Sequence, residues 1–206
     1  IKAGAADFII KPWDNSRLLQ AVMYAAGKNV SLKKDKTHDD FSPFFGYSRR
    51  MAALREIVDK VAATDASILI TGENGTGKSM LAKYIHHRSG RHNLPMVHAD
   101  MGAITDTLFE SEFFGHEKNA FTGASATRKG RFEIAHDSTL FLDEVANIPL
   151  PMQSKLLCAL QEKRITRVGA NRPIDVNVRL ISATSSDPES LVERGLFRRD
   201  LLWRIN

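Results

Sequence analysis

A single cysteine, Cys158, stands in 206 residues. A lone thiol permits no internal disulfide and no cysteine-rich zinc site, which fits a reducing, cytoplasmic setting. Long apolar runs are equally scarce: stretches such as 67–70 and 139–142 fall far short of the roughly 20 residues a membrane helix needs. Neither a membrane span nor a signal-peptide layout is expected, and no internal repeat or low-complexity tract is found. Charge of one sign is also lacking. The net charge of +5 is thinly spread, with 7 Lys/Arg against 5 Asp/Glu in residues 1–40 and 22 against 19 in the remainder. The nearest basic clusters, Lys33-Lys34-Lys36 and Arg128-Lys129-Arg131, read as solvated surface rather than a nucleic-acid groove. What remains, 43% hydrophobic and 26% charged residues, is an ordinary globular composition with enough core for one domain or two.

Two parts can be distinguished. Residues 7–10, Asp-Phe-Ile-Ile, read as a short buried strand stopped by Lys11-Pro12. A helix follows, capped by Asp14, Asn15 or Ser16 and ended by Gly27. Residues 28–43 are polar, charged and aperiodic, which marks a linker. Beyond Gly46 an amphipathic helix carries Met51, Leu54, Ile57, Val58 and Val61, and strands then alternate with helices. Strands are predicted at 67–71, 96–99, 139–142 and 176–183, and helices at 79–87, 106–114 and 151–162. The last of these helices is expected to bury Met152, Leu156, Leu157 and Leu160, with Cys158 in the helix core. Asp187-Pro188 should open a further helix as cap and first-turn proline. This alternation predicts an α/β domain with a mostly parallel sheet.

The strongest chemical signal is Gly72-Glu73-Asn74-Gly75-Thr76-Gly77-Lys78-Ser79, a P-loop placed directly after a predicted strand and opening a predicted helix. Glycines let backbone amides point inward at a polyphosphate. Lys78 would neutralise the β and γ phosphates, Ser79 would ligate magnesium, and the helix N-terminus adds positive potential. The apolar strand ending in Asp143-Glu144 suits the same chemistry: Asp143 to hold magnesium through water, Glu144 to polarise the attacking water as general base. Alone, such a pair reads as a solvated strand end; behind a P-loop it argues nucleotide hydrolysis. In Phe197-Arg198-Arg199-Asp200-Leu201-Leu202-Trp203-Arg204, spacing alone favours a salt-bridged surface helix, with reach to a neighbouring subunit's γ-phosphate as the functional alternative. His86, His87, His92 and His98 lack ligand spacing and are expected at the surface.

The segment Gly115-His116-Glu117-Lys118-Asn119-Ala120-Phe121-Thr122-Gly123-Ala124, preceded by Glu110-Ser111-Glu112-Phe113-Phe114, resembles the signature loop of sigma-54-dependent transcriptional activators. The P-loop, the Leu-Phe-Leu-Asp-Glu strand, Thr166-Arg167-Val168-Gly169 and the arginine-rich end follow in the family's order, so the resemblance covers residues 44–206. Gly4-Ala5, Asp7-Phe8 and Lys11-Pro12 similarly look like the end of a flavodoxin-like response-regulator receiver, over residues 1–27.

The resemblance implies a P-loop AAA+ ATPase that uses ATP and Mg2+, assembles into a homo-oligomeric ring, usually a hexamer, and remodels the closed complex of sigma-54 RNA polymerase. It implies that the loop carrying Phe121, Thr122 and Gly123 contacts the sigma factor, against the plain alternative that Phe121 is buried in its own domain. Arg198 and Arg204 fall on the family's trans-acting arginine positions. A sensor kinase upstream, a helical lid and a DNA-binding domain after residue 206 are further expectations of the same resemblance.

Three departures stand out. Asn119 replaces the loop's first glycine, a change softened by asparagine's tolerance of left-handed backbone. Asp100 occupies the place of an asparagine that restrains the glutamate, and a carboxylate there is expected to repel Glu144 or raise one of the two pKa values. Ser185 replaces a sensor asparagine, shortening its reach toward the γ-phosphate or attacking water. Two other readings stay open: an AAA+ motor acting directly on DNA, and a regulatory scaffold that binds nucleotide without using it.

Overall fold

In a computed structural model of the chain, the described residues are Phe45, Gly46 and residues 48–206. The expected receiver end and linker lie outside them, and so does Lys33-Lys34-Lys36. Helix α1, Arg49–Ala62, starts at Ser48, whose Oγ accepts from the Met51 amide. Strand β1 (Ile68–Thr71) leads into α2 (Lys78–His87), β2 (Val97–Asp100) and α3 (Asp106–Phe114). A hairpin of β3 (Gly115–His116) and β4 (Arg128–Lys129) follows, then the short helix α4 (Arg131–Ile134) and β5 (Thr139–Asp143). After one 3-10 turn come α5 (Leu150–Glu162), a hairpin of β6 (Arg164–Thr166) and β7 (Pro173–Asp175), β8 (Arg179–Thr184), α6 (Pro188–Glu193) and α7 (Arg199–Ile205).

Four strands form one parallel sheet in the order β1-β8-β5-β2. Strand β8 therefore separates the P-loop strand from the acidic strand, with Ile181 opposite both Ile68 and Phe141. Period-two alternation sends the central strands' side chains to opposite faces. Leu140, Leu142 and Leu180 join Phe109, Phe113, Phe132, Leu156 and Leu201 in one core, while Phe141, Ile181 and Ala183 join Val58, Ala62, Leu81 and Tyr84 in the other. The expected α/β architecture and its four sheet strands are present. The fourth begins at Arg179 rather than at 176, because Val176 belongs to the turn that leaves β7 and donates its amide to the Lys163 carbonyl.

Two buried polar residues tie the layers together. Arg179, 1% exposed, donates to the carbonyls of Ala62 and Val61 at 2.7 and 3.0 Å and so satisfies the C-terminal end of α1. Gln153, fully buried, donates to the Ile148 and Leu196 carbonyls and accepts the Arg198 amide at 2.8 Å. Cys158 corrects the sequence reading. It is exposed, because on a helix residue 158 lies about 200° around from 156 and so faces away from Leu156, Leu157 and Ala159. Met152 and Leu160 pack against the core but are only partly buried. The helix opened by Asp187-Pro188 forms as expected, the carboxylate accepting from the Glu189 and Ser190 amides.

Candidate functional site

The C-terminal ends of β1, β5, β8 and β2 converge on one cleft of about 370 Å³. Its walls come from Asn74, Gly75, Gly77, Lys78, Ser79, Met80, Asp100, Asp143 and Glu144. Gly75 and Gly77 hold left-handed backbone, φ 79° and 89°, and Gly77 caps α2 without a side chain, leaving the first amides of the helix facing the cleft. Thr76 closes the turn locally, its Oγ1 donating to the Glu73 carbonyl at 2.8 Å, while the Gly72 amide donates to the Thr184 carbonyl at 3.2 Å and ties the loop to β8.

The charged groups are already engaged with one another. Buried Lys78 donates from Nζ to the carbonyls of Gly72 and Glu73 at 2.9 and 3.1 Å and lies 3.4 Å from Glu144 Oε1. Ser79 Oγ donates to Asp143 Oδ2 at 2.9 Å. A hydroxyl and a carboxylate this close, on two elements facing one cleft, are hard oxygen donors of the kind magnesium takes. Of the expected P-loop residues, Asn74, Gly75, Gly77, Lys78 and Ser79 line the cleft together with both strand-end carboxylates, whereas Gly72, Glu73 and Thr76 do not line it.

Glu144 sits on left-handed backbone, φ 55° and ψ 55°, which turns its side chain across the cleft toward β8. There Oε2 accepts from the Ser185 amide at 3.0 Å and from Ser185 Oγ at 2.8 Å. Partial burial pushes the Glu144 carboxyl up, but the Ser185 bonds and the Lys78 charge outweigh it and hold the pKa below the ordinary value. This corrects the expectation for Asp100. That carboxylate lines the cleft but turns to its own chain, Oδ1 accepting the Gly102 amide at 2.9 Å. Ser185 likewise spends its short reach on Glu144.

His98 is exposed, as expected, and it also stacks on Phe141 with centroids 5.0 Å apart and places Nε2 at 3.4 Å from Asp143 Oδ2. The sequence signal was alternation: residues 98 and 100 of β2 share a face, and their partners in β5 are Phe141 and Asp143. His86, only partly exposed, departs from the surface expectation. It bonds Thr139 Oγ1 and the Leu94 carbonyl, and burial lowers its pKa. Among the described residues no group of three or more His, Cys, Asp or Glu side chains is placed to hold a metal ion.

The loop of residues 117–127 projects from the β3–β4 hairpin. Asn119 adopts φ 66°, as its tolerance of left-handed backbone allows, and its amide donates to the Ala124 carbonyl at 2.8 Å. Phe121 is 42% exposed, edge-on to His116, and Thr122 and Gly123 are exposed beside it. Burial of Phe121 in its own domain is excluded. At the loop's base Arg167 bonds Glu133 through two nitrogens, at 2.8 and 2.6 Å, and Glu117 at 2.8 Å. Arg198, the residue that precedes α7, pairs with Asp200 at 2.7 Å and donates to Ser154 Oγ at 3.0 Å, and Arg204 within α7 donates to the Leu160 carbonyl. Neither arginine lines the glycine-lined cleft of its own chain. The cluster Arg128-Lys129-Arg131 is not simply solvated, since Arg128 and Arg131 both pair with Glu112.

The family described as the Sigma-54 interaction domain matches residues 44–206. The chain belongs to this family. Across the whole chain, this sigma-54 interaction domain and the residues before it are 43% identical to the transcriptional regulatory protein FlbD of Caulobacter vibrioides, of which they cover 43%. They are 39% identical to the regulatory protein AtoC of Escherichia coli, of which they cover 46%. Among solved structures, NtrX from Brucella abortus in complex with ATP superposes with a TM-score of 0.72 at 33% identity, covering all of this chain and 46% of that one. The chain thus spans a little under half the length of the curated relatives it matches. The parallel sheet with flanking helices is the P-loop AAA+ fold of these relatives. Among the described residues no helix is long and apolar enough to cross a membrane.

Proposed function

We propose that the protein is an ATP-hydrolysing transcriptional activator that remodels the sigma-54 RNA polymerase closed complex, working in the cytoplasm under a phosphorylation-dependent receiver of which residues 1–27 form the end. The observation that carries this reading is the meeting of Lys78, Ser79, Asp143 and Glu144 in one glycine-lined cleft. The P-loop amides and Lys78 bind and orient the polyphosphate. Ser79 and Asp143 would hold magnesium, which supplies neutralising charge at the phosphate oxygens. Glu144 draws the proton from the attacking water. Exposed Arg198 is held by an exposed carboxylate and a hydroxyl, contacts that a neighbouring subunit's γ-phosphate can replace, and Arg204 serves the same interface in a ring, a hexamer by family likeness. Phe121, Thr122 and Gly123 present an aromatic and a small polar tip to the sigma factor. DNA would be met through a separate domain, and the signal would come from a sensor kinase, as befits relatives with names such as the response regulator protein PilR.

The test uses the full-length protein. Hydrolysis of ATP is expected, with Glu144→Gln lowering turnover by about 100-fold or more while mant-ADP binding is preserved. Thr122→Ala is expected to block sigma-54-dependent open-complex formation in a purified transcription assay. A wild-type protein that binds nucleotide without turnover would establish the scaffold reading instead. Open-complex formation unaffected by Thr122→Ala would point to a motor with a different target.

A further inference from the structure

We infer that Ser185 is the positioning residue of the general base, the group that holds the Glu144 carboxylate in place from the end of β8. The inference rests on the ATPase reading above and adds to it the source of Glu144's orientation.

Glu144 leaves β5 between two sheet neighbours, β8 on one side and β2 on the other. Each offers a polar residue at the level of the cleft: Ser185, which follows Thr184 of β8, and Asp100, which ends β2. The carboxylate is committed to the β8 side. Two donors from one residue, the Ser185 amide and hydroxyl, meet at a single oxygen, Oε2, at 3.0 and 2.8 Å. Two bonds on one oxygen restrict rotation of the carboxylate about its last torsion and leave Oε1 as the less encumbered acceptor, 3.4 Å from Lys78. The β2 side contributes nothing comparable, since Asp100 is an acceptor already used by its own turn and cannot donate when ionised. Asp143, one residue earlier, is directed to Ser79 and His98. The two acidic neighbours are thereby sorted, one toward the P-loop hydroxyl and the other toward Ser185. The Ser185 amide and hydroxyl both go to Glu144 and act through it, so Ser185 is expected to affect the chemical step more than nucleotide binding.

The experiment is a double-mutant cycle on ATP hydrolysis by the full-length protein, read as steady-state turnover over a range of ATP concentrations. Ser185→Ala keeps the amide donor and removes the hydroxyl, so kcat should fall about tenfold, as loss of one hydrogen bond to a charged group implies, while KM for ATP and mant-ADP affinity stay within about twofold. Ser185→Thr, which retains the hydroxyl, should restore turnover. On a Glu144→Gln background Ser185→Ala should cost nothing further. Should the alanine variant not fold, Ser185→Thr against Ser185→Val makes the same comparison at equal size. A multiplicative loss in the double variant, or a loss confined to KM, would overturn the inference and leave the ATPase reading standing. Absence of turnover in the wild-type protein would overturn both.

Discussion

Replacing Gln153 with leucine tests whether a single buried amide joins α5 to the segment that carries Arg198. The side chain is fully buried and uses one acceptor and two donors on three backbone partners, Arg198 N, Ile148 O and Leu196 O. Leucine fills most of the space but offers none of these bonds. At about 1 kcal/mol net per bond the loss is about 3 kcal/mol, and the Ile148 carbonyl, left in a buried position, adds to it. Leu196 and Arg198 are exposed residues whose backbone groups can turn to water, which keeps the total near 3–4 kcal/mol in order of magnitude. Urea unfolding followed by tryptophan fluorescence and circular dichroism reads this directly. With a slope of about 2 kcal/mol per molar, the midpoint should drop by about 1.5–2 M at unchanged slope. Gln153→Glu should be worse at neutral pH, because an ionised carboxylate would face two carbonyls without a donor. A midpoint within about 0.3 M of wild type for the leucine variant would refute the joint, since it would mean that the three partners are satisfied without the amide.

Gly130 lies where a Cβ would overlap the Phe113 carbonyl and the Gly115 amide, both backbone atoms at the root of the loop. Gly130→Ala should lower stability by about 3 kcal/mol or more, whereas Gly90→Ala, with open space around it, should be close to neutral in the same urea titration. His86 gives a pH signature: its folded pKa lies below its ordinary value of 6.5 because burial penalises the cation, so the unfolded chain binds the proton more readily. Its contribution is complete above pH 6.5 and is lost as the pH falls toward the depressed value, and His86→Gln should flatten that part of the stability profile in urea midpoints taken from pH 8 to 5.5.

Much of the site was legible because its chemistry is local. Eight consecutive residues carry the P-loop, and Asp143 and Glu144 announce themselves at the end of an apolar strand. What the sequence concealed were choices made between elements. Which way Glu144 turns depends on its own left-handed backbone and on β8 lying beside β5, neither of which is written in a motif. Asp100 and Ser185 looked like two independent departures, and the sheet makes them the two sides of one choice. Cys158 was misplaced by reading sequence neighbours as spatial ones, while Gln153, one of the series 153, 156, 157 and 160, was detectable as a polar residue on an apolar helix stripe. The hairpins β3–β4 and β6–β7 have strands of two and three residues, too short for alternation to register.

The insertion of β8 between β1 and β5 also dictates an order of assembly. The strand bearing the P-loop and the strand bearing the acidic pair share no hydrogen bond, and each pairs with β8. Ile68 meets a partner, Ile181, more than a hundred residues later in the chain. Closing so long a segment is an entropic obstacle that local helices cannot lower, and such non-local pairing slows folding. During synthesis the strand that leads into the P-loop, complete in sequence early, cannot join the sheet beside β5 until the chain through Thr184 is available. On the proposed function, a nucleotide binding only the joined halves would stabilise the last step of that assembly.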